Sequence, residues 1–136
     1  MQSSDVKFKL VILGDKSVGK TTFIRRYRVD ELDRKIDEEK KIEITTLNIS
    51  SFAGVIGFNV WDATPGEDKG GLNDEDIKGA HCAIIMFDVT AQMTYDSLET
   101  WYKRITSVCE NIPIVILGNK VDATKYRKVF AENITF

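Results

Sequence analysis

"GDKSVGKT", residues 14–21, follows the apolar run "VKFKLVIL" (6–13) directly and leads into "TTFIRRY" (21–27). It fits GxxxxGK[ST], a pattern in which glycines let the backbone curl around phosphate groups. Consecutive N–H groups from Lys16 to Thr21 can turn inward where the chain is free of bulky side chains, and the start of a following helix adds partial positive charge. A polyphosphate fits that cradle. Lys20 brings a point charge to the β- and γ-phosphates, and the Thr21 hydroxyl occupies one magnesium position. The candidate phosphate-contacting residues are therefore Gly14, Asp15, Lys16, Ser17, Val18, Gly19, Lys20, Thr21 and Thr22.

Outward from this stretch, three segments are nearly continuous apolar runs: "VKFKLVILG" (6–14), "AHCAIIMFDV" (80–89) and "IPIVILGN" (112–119). Runs of this kind read as strands buried on both faces, as in parallel sheets flanked by helices. Between the last two lies "TYDSLETWYKRITSVCEN" (94–111), where Leu98, Trp101, Ile105 and Val108 share one helical face. A strand, a helix and a strand make a βαβ unit. Residues 42–62, "IEITTLNISSFAGVIGFNVWD", alternate in part and break at Ala53-Gly54, which predicts an antiparallel hairpin at a sheet edge. The fold expected is α/β: a mostly parallel sheet with one antiparallel edge hairpin and helices on both faces. The tract "DELDRKIDEEKKIE" (30–43), dense in both signs of charge, reads as a solvated helix end or a loop.

Composition sets wider bounds. The 136 residues fit one domain, 1–136, and a net charge of −2 with 43% hydrophobic residues implies no basic surface for direct nucleic-acid binding. No apolar stretch approaches a membrane span or a signal-peptide core, so an intracellular, soluble protein without a membrane anchor is expected. Cys82 and Cys109 follow no CxxC pattern and sit among apolar residues, and are read as reduced core thiols. His81, the one histidine, is read as structural, and Trp61 and Trp101 as core.

A second motif, "GNKVD" (118–122), ends the third apolar run, at the C-terminal end of a parallel strand where ligands of open α/β sheets bind. The Asp122 carboxylate can accept from the N1–H and the exocyclic amine of guanine, a donor pair that adenine lacks. Asn119 can tie the loops together and touch the base edge, and the Lys120 stem can lie over the ring. The implied ligand is GTP or GDP.

The phosphate loop, the strand end at Trp61-Asp62 and "GNKVD" together resemble the Ras-like small GTPases, a P-loop NTPase family. "FNVWD" (58–62), "GGL" (70–72), "CAIIMFDVT" (82–90), "TY" (94–95) and "VCENIPIVILGNKVD" (108–122) resemble more closely the Ran branch, which serves nuclear transport. The resemblance implies GTP or GDP with Mg2+, metal positions at Thr21 and Asp62, and guanine readers at Asn119, Lys120 and Asp122. By the same route it implies nuclear transport receptors and an exchange factor as partners, and a place in nucleus and cytoplasm. It also exposes departures. Where the family has a glycine that contacts the γ-phosphate and a glutamine that orients the attacking water, this chain has Pro65, which has no N–H, and Gly66, which has no side chain. Glu39, Lys40 and Lys41 stand where the family carries its magnesium-binding threonine, with Thr45 and Thr46 as the nearest substitutes. Weak or lost hydrolysis is expected. The family also continues with a further strand, a guanine-backing loop and a final helix, so a C-terminally shortened version of the fold is expected from a sequence ending at "ENITF". A pseudo-GTPase whose partner binding ignores nucleotide is the alternative.

Overall fold

The computed structural model describes residues 7–15, 18–26, 34–39, 41–63 and 72–119. Along the chain these form β1 (Lys7–Leu13), α1 (Lys20–Arg25), β2 (Arg34–Asp37), β3 (Ile42–Ser51) and β4 (Gly54–Ala63). Then come α2 (Asp74–Ile77), β5 (Cys82–Asp88), α3 (Gln92–Asp96), α4 (Leu98–Val108) and β6 (Ile114–Asn119). The strands make one mixed sheet in the order β2-β3-β4-β1-β5-β6. Pairing is parallel between β4, β1, β5 and β6, and antiparallel at β2–β3 and β3–β4.

The three apolar runs became the three adjacent parallel strands β1, β5 and β6, and both faces of the sheet are covered. On one face Ile12, Val60 and Met86 pack with Val18 and Ile24 from the α1 side. On the other, Val11, Leu13, Ile85 and Phe87 pack with Ile77, Leu98 and Ile105 from α2 and α4. The helical spacing read at 98, 101, 105 and 108 is the face α4 presents to the sheet: Leu98 and Ile105 have no exposed surface, and Trp101 and Val108 pack beside them. Full burial of a leucine or isoleucine contributes about 1.5–3 kcal/mol, so these two residues largely fix α4 in place.

Two features depart from the expectation. Part of the charged tract is neither helix end nor loop: residues 34–37 pair antiparallel with β3 and extend the sheet beyond the hairpin. Lys35, Ile36 and Asp37 are exposed, so no alternation of burial marks these three, and it is the backbone pairing with β3 that defines the strand. The short helix α2 is the second. It is set by a capping box in which Asn73 Oδ1 accepts from the Asp76 N–H (2.9 Å) and Asp76 Oδ2 accepts from the Asn73 N–H (3.1 Å).

The parallel register brings the C-terminal ends of β4, β1, β5 and β6 to one side of the sheet, with Asp88 level with Asn119 and Leu13 level with Ile85. The phosphate loop leaves from this side. His81 lies at the other end of β5, where its Nδ1 accepts from the Lys9 N–H (2.8 Å) while its own N–H donates to Lys9 O (2.8 Å), a structural role. Cys109 is buried with its Sγ directed at Ile77 O, and Cys82 is half-buried with its thiol pKa pushed up by burial.

Candidate functional site

Both described glycines of the phosphate loop have backbone conformations that other residues rarely adopt, and a side chain at either would force a neighbour to shift. At Gly14 (φ +150°) a Cβ would stand 2.3 Å from the backbone oxygen of Met86 in β5. At Gly19 (φ +98°) it would stand 2.4 Å from Asn119 Nδ2. The loop is thus pressed against the strand ends. Val18, fully buried between them, anchors it to the core.

Asn119 closes the arrangement from the end of β6, its Nδ2 donating to Val18 O at 3.1 Å across 101 positions of sequence. The role of tying loops together, read from "GNKVD", is therefore visible in its geometry. Lys20, the first residue of α1, reaches back over the loop, and its Nζ donates to the carbonyls of Gly14 (2.8 Å) and Asp15 (3.0 Å). Burial pulls the Lys20 pKa down, against the opposing pull of Asp62 and Asp15. The same Nζ therefore closes the loop on itself.

One residue on, Thr21 Oγ1 donates to Asp62 Oδ2 at 2.7 Å, joining α1 to the end of β4. Asp62 is 1% exposed, and its other oxygen, Oδ1, is buried without a hydrogen-bond partner. Burial pushes its pKa up to about 6, with a smaller upward push from Glu43 outweighed in kind by Thr21 and Lys20. Glu43, itself buried, lies directly opposite Asp62 in the β3–β4 ladder, so the two side chains share a face. A buried carboxylate oxygen with nothing to bind is costly. A cation beside Thr21 would relieve it.

That chemistry fits Mg2+, which takes oxygen donors, keeps several waters and uses one or two protein ligands with phosphate oxygens. Among the described residues no cluster of three or more His, Cys, Asp and Glu forms a closed cage, and Mg2+ bound with a nucleotide needs none. Asp88, the other strand-end aspartate, is turned to its own chain: its Oδ1 accepts from the Thr90 N–H at 2.8 Å. Thr46 Oγ1 donates to Asn59 Oδ1 across the β3–β4 hairpin at 2.9 Å, and Thr45 is buried within β3. Both threonines are part of the sheet.

The structure thus gathers Gly14, Val18, Gly19, Lys20, Thr21, Asp62 and Asn119 at one edge. Thr22 is exposed on the outer side of α1. Asp15 contributes its backbone carbonyl to Lys20, while its carboxylate is turned to α4. Lys16, Ser17, Lys40, Pro65, Gly66, Lys120 and Asp122 lie outside the described residues.

Sequence reasoning missed Ser97 and Trp101. Trp101 was expected to be plain core, but its Nε1 donates to Asp15 Oδ1 at 2.9 Å and Ser97 Oγ donates to Asp15 Oδ2 at 2.6 Å. Partners more than eighty residues apart leave no local signal. Trp61 packs against the core as read, with Lys9 Nζ 3.8 Å from its ring centre.

Among the described residues no helix is long and apolar enough to cross a membrane. The family model described as "Ras family" matches residues 9–135, a span that takes in "GDKSVGKT", the Thr21–Asp62 pair and "GNKVD". The chain belongs to the Ras family of GTP-binding small GTPases.

Proposed function

We propose that this chain, as a single domain over residues 1–136, holds GTP or GDP with Mg2+ at the C-terminal edge of its parallel strands. The observation that carries the reading is the Thr21 hydroxyl donating to Asp62 Oδ2 while the buried Oδ1 of the same carboxylate has no partner, beside Lys20 and two glycines at positive φ. Lys20 neutralises phosphate charge, and the backbone of residues 14–21 supplies N–H donors. Thr21 and Asp62 would hold Mg2+, which supplies charge neutralisation between the phosphates when bound. Asn119 keeps the base-binding motif against the phosphate loop, while Lys120 and Asp122 read guanine, the roles implied by "GNKVD".

Within this function the chain is Ran-like, with a role in nucleocytoplasmic transport, nuclear transport receptors and an exchange factor as partners, and residence in nucleus and cytoplasm. The long match from "FNVWD" to "GNKVD" supports this. Hydrolysis is slow or lost, because Pro65 has no N–H for the γ-phosphate and Gly66 no side chain to orient water.

Binding of a fluorescent GDP analogue in Mg2+, displaced by unlabelled GDP and GTP but not by ATP, is the expected result. Absence of saturable binding by the folded protein would refute the reading and favour a pseudo-GTPase that engages partners without nucleotide. Single-turnover hydrolysis of GTP at the rate of an intact small GTPase would refute the second part alone.

A further inference from the structure

A carboxylate in a loop that cradles polyphosphate is an electrostatic liability, yet Asp15 is the second residue of "GDKSVGKT". Its two oxygens are separately occupied. Oδ2 accepts from Ser97 Oγ at 2.6 Å and Oδ1 from Trp101 Nε1 at 2.9 Å. Ser97 and Trp101 are one helical turn apart, joined by the backbone bond from the Trp101 N–H to Ser97 O (3.1 Å), and so present both donors from one face.

The Ser97 hydroxyl also lies 3.0 Å from the Met93 carbonyl one turn back, but its shorter contact, 2.6 Å, is the one to Asp15, and the Trp101 ring N–H is spent on Asp15. Ser97 occupies the N-cap of α4, where a serine usually caps through its hydroxyl, but makes no side-chain cap bond here. Trp101 is packed on its ring while its N–H is free to bond outward. Arg104 braces the ring, its guanidinium carbon 5.6 Å from the ring centre, and holds the start of α2 through Asp74 (3.0 Å) and the Leu72 carbonyl.

We propose that Ser97 and Trp101 are positioning residues for the nucleotide site: they hold the Asp15 carboxylate against α4 and so keep its negative charge away from bound phosphate. This rests on the nucleotide reading given above. The backbone of Asp15 remains in the loop, where its carbonyl accepts from Lys20, so only the charge is removed from the cradle. The helix α4 thereby sets the phosphate affinity of a loop more than eighty residues away.

The test is a set of four proteins, wild type, Trp101→Phe, Asp15→Ala and the double variant, titrated with a fluorescent GDP analogue in Mg2+. Trp101→Phe keeps the ring and deletes the N–H donor, and is expected to raise Kd about tenfold, with a loss that shrinks as salt is added. In the Asp15→Ala background, measured against the Kd of Asp15→Ala itself, the same change is expected to move Kd less than about twofold. Ser97→Ala, which changes volume little, is expected to behave in the same way and covers the case in which Trp101→Phe does not fold. An equal loss from Trp101→Phe in both backgrounds would overturn the proposal while leaving nucleotide binding intact. No binding by folded wild-type protein would overturn both.

Discussion

Asp62→Asn is expected to stabilise the protein freed of metal and nucleotide, although it removes a residue of the site. Burial raises the Asp62 pKa to about 6 from 3.8. Keeping that carboxylate ionised in the folded chain at neutral pH therefore costs about 3 kcal/mol relative to the unfolded chain. Asparagine removes the charge and still accepts from Thr21 Oγ1, but places an amide where Oδ1 now lies unpaired, at a cost of about 1–2 kcal/mol. The net expectation is a gain of about 1–2 kcal/mol near neutral pH, read by urea unfolding in a chelator.

The sign with pH follows from proton counting. Between about pH 4 and about pH 6 the folded chain holds more of the Asp62 proton than the unfolded chain, so this group's contribution to stability falls as pH rises and is fully lost above that window. The advantage of Asp62→Asn should therefore shrink as pH falls below about 6 and be lost or inverted below about pH 4, as the wild-type carboxyl becomes protonated in both states. Saturating Mg2+ and GDP should reverse the order, because the bound ion stabilises only the carboxylate. A metal-free Asp62→Asn protein less stable than wild type by more than about 1 kcal/mol near neutral pH would refute the reasoning.

Further outcomes follow from the loop and from the second switch. Gly14→Ala, whose Cβ would meet the immovable Met86 backbone oxygen, is expected to cost more than about 3 kcal/mol in thermal unfolding. Gly54→Ala, at positive φ (116°) but in open space, should cost only about 1–2 kcal/mol, and equal losses at the two sites would contradict the close approach. Restoring an N–H and a glutamine side chain with Pro65→Gly and Gly66→Gln together is expected to raise single-turnover GTP hydrolysis on the order of tenfold or more; no change would place the defect elsewhere.

How much of this was legible depended on whether the signal is local. The strands β1, β5 and β6 announce themselves because burial on both faces demands continuous apolar residues, and "GDKSVGKT" because phosphate geometry fixes glycine positions. The strand β2 was illegible: Lys35, Ile36 and Asp37 are all exposed, and the strand is seen in its pairing with β3. The Thr21–Asp62 bond was reachable only through family position, since 41 residues separate the pair. Trp101 packs against the core as its helical spacing suggested, but its single polar atom meets a loop 86 residues away, a contact with no local signal. Glu43 likewise shows its bearing on Asp62 only once the β3–β4 register is known.

The most direct test of the central claim is to purify the protein in Mg2+ without added nucleotide, denature it, and identify by chromatography what is released. The account predicts close to one guanine nucleotide per chain, with GTP in excess over GDP because Pro65 and Gly66 leave hydrolysis slow. A folded protein that releases no nucleotide, or releases adenine nucleotide, would contradict it.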